Sequence, residues 1–379
     1  MSRLAWTRIG LLCTALLAGC QPAPSVIKIG VSQPMSGPLG ALGQDMVNGA
    51  QLAIDDINAE GGVRIDQKRV KLELVAVDDK ADAATGKAAA EQLVQAGVTV
   101  ALAHLNSGVS IASAPIYAAA GIPQLAISTK PTYTKLGFAT TLRLVANDDL
   151  QSKAMGEYAA SLAGAERFAV LDDSTPYGRG LADDAARVLE ARGKAVAVRR
   201  SFDDKTTDFA ALVGELGKFR IDVVVTTLND FQVEALIVLA SQQGLSRLRV
   251  LGGDTLKTDR LNKVGGMIQG LYATSGVIEA REFQNGKRFL TRFRERYKGD
   301  PVYGAHYHYD AVHVVADALT RNASVDKAAL LKRLKNFDGY APVTGTMRFR
   351  EDGEQRYGAV AVYQWHAGQW NALVRSDQW

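Results

Sequence analysis

The chain has 379 residues, 47% of them hydrophobic and 22% charged, with a formal charge of +4. That length exceeds one compact core and implies two domains, and the composition is that of a globular protein. Arg3 and Arg8 near the start contribute two of the four charges, and the remaining +2 carries no Lys/Arg tract, so the charge gives no case for a nucleic-acid partner.

Arg3 and Arg8 precede a short apolar run over 9–17, which is well under the ~20 residues needed to cross a bilayer. It ends in Leu17-Ala18-Gly19-Cys20, which resembles a bacterial lipoprotein box. Residues 1–20 therefore read as a signal peptide, with Cys20 as the lipidation site and 21–25 as a tether. The alternative is ordinary secretion with cleavage nearby. Lipid on Cys20 would anchor the protein to a membrane surface of the cell envelope. Cys13 leaves with the leader, so the folded part has no thiol; disulfides, Cys-ligated zinc and thiol catalysis are excluded.

After the tether, strands and helices alternate. A β-rich run over 26–31 precedes a helix over 44–58, where Met46, Ala50, Ala53, Ile54 and Ile57 share one face and Gly61-Gly62 ends the run. A strand over 70–77 closes on Asp78-Asp79, and a helix follows over 83–95. Residues 98–106 (Val-Thr-Val-Ala-Leu-Ala-His-Leu-Asn) form a strand that delivers Ser107 to the start of a helix, and Gln124-Leu-Ala-Ile127 delivers Ser128 and Thr129. The pattern restarts after Asn147. It predicts strands at 167–171, 195–199, 222–227 and 249–252, and helices at 150–162, 178–191, 208–219 and 231–243. Late helices at 283–297, 304–320 and 326–336 precede β-rich stretches at 346–349 and 359–365. Such alternation implies α/β architecture: two doubly wound, parallel-sheet lobes with a cleft between strand ends.

Hydroxyls at two neighbouring strand ends, beside free helix N–H groups, suit a small anion such as a carboxylate, or else cap helices. Asp254, in Leu251-Gly-Gly-Asp254-Thr, follows a strand and could face an ammonium group; its other reading is the N-cap of a helix starting near Leu256. Tyr177, in Ser174-Thr-Pro-Tyr177-Gly, reads as a lid aromatic or as a turn residue packing on its own lobe.

Enzyme readings lack parts. The run 36–43 spaces its glycines G-x-x-G-x-x-G rather than G-x-G-x-x-G, with Pro38 where backbone should approach a pyrophosphate; it walls a cleft instead. No G-x-S-x-G elbow or H-E-x-x-H occurs, and none of His104, His306, His308, His313 and His366 has an evident partner. His308 and His313 read as helix-surface residues and His104 as a satisfied interior one. The Asp pairs at 78–79, 172–173 and 203–204 read as turn residues, so neither cofactor nor metal is expected.

Three stretches carry a family resemblance: Pro34-Met-Ser-Gly-Pro38, residues 49–62 (Gly-Ala-Gln-Leu-Ala-Ile-Asp-Asp-Ile-Asn-Ala-Glu-Gly-Gly) and Tyr177-Gly-Arg-Gly-Leu-Ala182. They resemble the substrate-binding proteins of branched-chain amino-acid ABC transporters, the Leu/Ile/Val-binding type, over almost everything after the leader. The resemblance implies a type I periplasmic binding fold with three crossovers, here near 146–147, 273–274 and 357–358. One lobe would comprise 26–146 plus 274–357, the other 147–273 plus 358–379. It implies that Ser107 and Thr129 hold the ligand carboxylate, that the Ile127 carbonyl and Asp254 receive the ammonium, and that Tyr177 is the lid; Ser128 lies beside this set. Leu42, Asn229 and His306 stand where the family has a first-loop aromatic, a second-lobe aromatic and a late apolar wall residue. A disulfide pair of the family falls on Ala81 and Asn106, so both cysteines are lost together. The implied partners are an amino acid and the permease subunits of an inner-membrane ABC importer, for a periplasmic, lipid-anchored monomer. Alternatives are a same-fold binder of an amide, urea or aromatic acid, or a ligand-sensing module.

Overall fold

The structure, a computed structural model, describes residues 24–378. The leader and Cys20 lie outside the described residues.

The first sheet contains β1 (Val26–Gln33), β2 (Val63–Ile65), β3 (Lys68–Asp78), β4 (Val100–Ala103), β5 (Gln124–Ala126) and β6 (Thr141–Arg143), in spatial order β2-β3-β1-β4-β5-β6. The second holds β7 (Arg167–Asp172), β8 (Ala195–Ser201), β9 (Val223–Thr226), β10 (Arg249–Gly252), β11 (Gly270–Ser275), β12 (Ala361–His366) and β13 (Gln369–Arg375), in order β13-β12-β11-β10-β9-β7-β8. Their centres are parallel, as expected of strands buried on both faces. The edges differ from the all-parallel expectation: β2 runs antiparallel to β3, and β12 and β13 form an antiparallel hairpin beside β11.

Helices α1 (Gly40–Ala59), α2 (Ala83–Gln95) and α3 (Ser107–Ala119) cover the first sheet, and α4 (Asp148–Ser161), α5 (Pro176–Ala191), α6 (Ala210–Lys218) and α7 (Asp230–Gln242) cover the second. The late helices α8 (Gly286–Tyr297), α9 (Ala305–Asn322) and α10 (Lys327–Lys335) return to the first lobe, where α9 packs along α1. Met46, Ala50, Ala53, Ile54 and Ile57 of α1 are all buried, as their helical spacing predicts. Gly49 on the same helix meets the α9 backbone so closely that a Cβ would strike the Ala305 carbonyl. Gly61 and Gly62 have φ of 105° and 96°, which turns the chain from α1 into β2.

Three expectations are corrected. Residues 346–349 form no strand; Met347 and Phe349 alternate inward as in a strand, but they close the first-lobe core and make only one bridge, Phe349 to Gln355. His308 is buried rather than on a helix surface, and His313 is partly buried, because α9 is packed by α1, α10 and β2 together. After β10 the chain makes a 3-10 turn over Asp254–Leu256 in place of a helix. His104 is fully buried, its Nδ1 2.7 Å from Asp79, an interior pair as expected.

Candidate functional site

A cavity of about 360 Å³ lies where the carboxyl ends of the two sheets face each other. From the first sheet come the segments after β1 (Ser36, Pro38, Leu39), β3 (Lys80, Ala81), β4 (Asn106, Ser107) and β5 (Ile127, Thr129). From the second come those after β7 (Asp173, Tyr177), β8 (Asp204, Lys205), β9 (Asn229, Phe231) and β10 (Asp254). Parallel strands end together at one edge of a sheet, so residues far apart in sequence converge there.

On the first wall, α3 begins at Ser107, preceded by Asn106, whose side chain makes no capping bond. The N–H groups of Ser107, Gly108 and Val109 have no acceptor among the described residues, so the positive end of the helix opens on the cavity. Ser107 is therefore not the cap: its Oγ accepts the Lys130 N–H at 3.3 Å. Thr129 stands beside it. This wall offers N–H and O–H donors, the chemistry of an anion receptor.

On the opposite wall, Asp254 is 3% exposed. Its Oδ1 accepts from the Ser275 hydroxyl and the Gly276 N–H, each at 2.9 Å, and its Oδ2 from the Tyr177 hydroxyl at 3.2 Å. Burial raises its pKa, and the Gly276 and Ser275 bonds offset part of that rise. No cationic side chain pairs with it among the described residues. The Tyr177 hydroxyl also accepts the Asp254 N–H at 3.2 Å, so Tyr177 is held to its own lobe at the cavity wall.

Of the residues singled out from sequence, the cavity brings together Ser107, Ile127, Thr129, Tyr177, Asn229 and Asp254. Three lie off it. Leu42 is buried in the first-lobe core, and the preceding turn presents Leu39 instead. Ser128 is buried behind Thr129, because successive residues of an extended segment face opposite ways. His306 points into a neighbouring cavity of about 510 Å³ that also holds Lys257 and Glu279. Its Nε2 donates to the Ile278 carbonyl at 2.8 Å, and burial lowers its pKa to about 3, so it is neutral.

Sequence reasoning missed Tyr303 and Asp148. Tyr303 sits between the two cavities and lines both; it precedes α9, distant in sequence from every other wall residue. Asp148, 1% exposed, opens α4 directly after the chain leaves the first sheet. Neither carboxylate oxygen has a hydrogen-bond partner within 3.5 Å among the described residues. Burial raises its pKa to about 7, with the Thr129 hydroxyl lowering it and Asp254 raising it. Its only sequence signal is that it is the first of two acids after the Asn147 cap.

Two α/β lobes facing across a cavity lined with donors on one side and a buried acid on the other define a solute-binding protein. The chain belongs to the periplasmic binding protein family, whose model matches residues 26–369. It is similar to the Leu/Ile/Val-binding protein homolog 1 of Brucella abortus, 28% identical over 362 residues and 95% of each chain. It is 27% identical to the leucine-, isoleucine-, valine-, threonine- and alanine-binding protein of Pseudomonas aeruginosa, over 94% of both. Among solved structures, the branched-chain amino acid binding protein LivJ of Streptococcus pneumoniae, in complex with isoleucine, superposes with a TM-score of 0.82 at 25% identity, covering 92% of this chain and 99% of that one. The leucine-binding protein LivK of Thermotoga maritima gives 0.81 at 25% identity, covering 92% and 98%.

Proposed function

We propose that this chain is the extracytoplasmic binding component of an ABC importer, capturing an amino acid with an apolar, branched-chain type side chain and passing it to a permease. One observation carries the reading: the uncapped α3 N-terminus faces, across one cavity, a buried acid with no cation partner among the described residues. A zwitterion completes both walls. Ser107, Thr129 and the α3 amides take its carboxylate; Asp254 and the Ile127 carbonyl take its ammonium. Leu39, Leu105 and Phe231, which also line the cavity, suit an apolar side chain.

The two anchors sit on different lobes, so a ligand engages both only when the lobes close. It therefore has higher affinity for the closed state and shifts the population towards it. The lobes are proposed to be 26–146 plus 274–357, and 147–273 plus 358–379. Pairing of Thr274 and Ser275 with β12 supports moving the second crossing to just after Ser275. The relatives are amino-acid-binding proteins, and LivJ is the substrate-binding protein of a transporter, which supports capture rather than turnover. We take the mature protein to be a monomer anchored through Cys20.

A thermal-shift panel of the twenty amino acids with amides, urea and aromatic acids identifies the ligand, since stabilisation tracks ligand concentration over Kd. We expect Leu, Ile or Val to stabilise the parent. Asp254→Ala should fold normally and bind at least about tenfold more weakly, because one partner of a buried charge pair is gone. Unchanged affinity in that variant refutes the assignment.

A further inference from the structure

Every carbonyl of the segment 128–130 is held by a donor. The Ser128 carbonyl accepts from Nη1 of Arg143, the Lys130 carbonyl accepts from Nη2 at 2.8 Å, and the Thr129 carbonyl between them accepts the Asp148 N–H at 2.9 Å. Arg143, at the end of β6, is wholly buried. It is itself fixed by a forked pair with Glu354, Nε to Oε2 at 3.0 Å and Nη2 to Oε1 at 3.1 Å, while Oε1 also accepts the Thr134 hydroxyl at 2.5 Å. The guanidinium also lies 5.5 Å from the centre of the Tyr133 ring. A planar, five-donor group can hold two carbonyls and a carboxylate at once; an ammonium cannot reproduce that fork.

The consequence lies in the peptide plane. In a trans peptide the C=O and the following N–H point in opposite directions, and the Ser128–Thr129 bond is trans. Holding the Ser128 carbonyl on Arg143 therefore turns the Thr129 N–H away from Arg143, and Thr129 itself lines the cavity. That N–H has no acceptor among the described residues. The same argument applies one residue on: the Lys130 N–H is directed onto the Ser107 Oγ, tying the two hydroxyl-bearing segments together.

We propose that Arg143, braced by Glu354, is a positioning residue for ligand capture: it turns the Ser128–Thr129 peptide so that the Thr129 N–H is aimed at the ligand carboxylate. Arg143 touches no ligand and acts only through this peptide. Glu354 reaches Arg143 from the segment just before the third crossover, and that is why neither residue carries a legible signal in sequence. This inference rests on the amino-acid reading above.

The test uses leucine, or whichever amino acid stabilises the parent most, with three readouts on the whole protein: Kd, melting temperature and the Thr129 amide resonance in a ¹⁵N-labelled sample. In the parent the Thr129 amide proton should move downfield on ligand addition, as an N–H donating to a carboxylate does. Arg143→Lys should weaken binding about tenfold or more and abolish that shift. Glu354→Gln, which keeps the side-chain volume, should weaken binding in the same direction and serves if Arg143→Lys fails to fold. A double-mutant cycle tests the device: Arg143→Lys and Glu354→Gln should not add, whereas Arg143→Lys and Asp254→Asn should. Binding within about twofold of the parent, or a weakened variant whose Thr129 shift is intact, overturns the proposal. If no amino acid stabilises the parent, the functional reading has failed instead.

Discussion

Asp254 and Asp148 are both buried acids at the lobe junction, but their surroundings differ. Asp254 accepts hydrogen bonds that favour its charged form and faces the cavity, as a group awaiting a cation should. Asp148 is buried, which disfavours its charged form, and neither of its oxygens has a hydrogen-bond partner within 3.5 Å among the described residues, so its carboxyl holds a proton to about pH 7, against an ordinary 3.8. Because the folded state binds this proton more tightly than the unfolded state, its contribution to stability is present at low pH and is lost as pH rises from about 4 to 7. At about 1.4 kcal/mol per pKa unit the ceiling is about 4 kcal/mol. We expect the melting temperature of Asp148→Asn, relative to the parent, to climb between about pH 4 and pH 7 and to level off above that. A difference independent of pH over that range would show that Asp148 does not titrate there. The comparison with the parent is needed because buried His306 and His308, both near pKa 3, act in the opposite sense on acidification.

At the level of elements, α1 and its closing glycines explain why that stretch reads so clearly as a helix and its stop. Its apolar stripe faces the sheet and α9, while Gly49 permits the α9 backbone to approach. Gly49→Ala should cost about 2 kcal/mol or more in chemical denaturation, because the clash is with backbone, which cannot rotate away. A neutral result would mean that α9 can slide to make room. The hydrophobic periods of α1, α2 and α5 were legible because one face is buried and the other is wet. That of α9 misled, since a helix packed on several sides buries polar residues too, His308 and Asp310 among them. Short edge strands such as β2 and β6, three residues each, were missed because three residues carry too little alternation to register.

For the whole molecule, the proposed division of labour needs a fixed address. No helix among the described residues is long and apolar enough to cross a membrane. Attachment would therefore rest on Cys20, which lies outside those residues. Labelled palmitate should enter the wild-type chain when it is expressed in a bacterium and should not enter Cys20→Ser. Equal labelling of both would remove the anchor from the account. A tether of only five residues would leave the cleft-bearing lobes close to the membrane, suited to handing solute to a permease there.

The sequence by itself determined the α/β class, the division into two lobes and most of the donors and acceptors now facing the cavity, because strand ends, glycine turns and helix starts are written locally. It also named Leu42, Ser128 and His306, which lie off that cavity. Only the tertiary structure decided which hydroxyl faces the cleft, that Tyr303 stands between two cavities, and that Arg143 and Glu354, more than two hundred residues apart, meet behind Thr129. The reason is physical. Local sequence sets where a strand ends, but the direction of one peptide plane is set by whatever packs behind it, and here that comes from the far end of the chain.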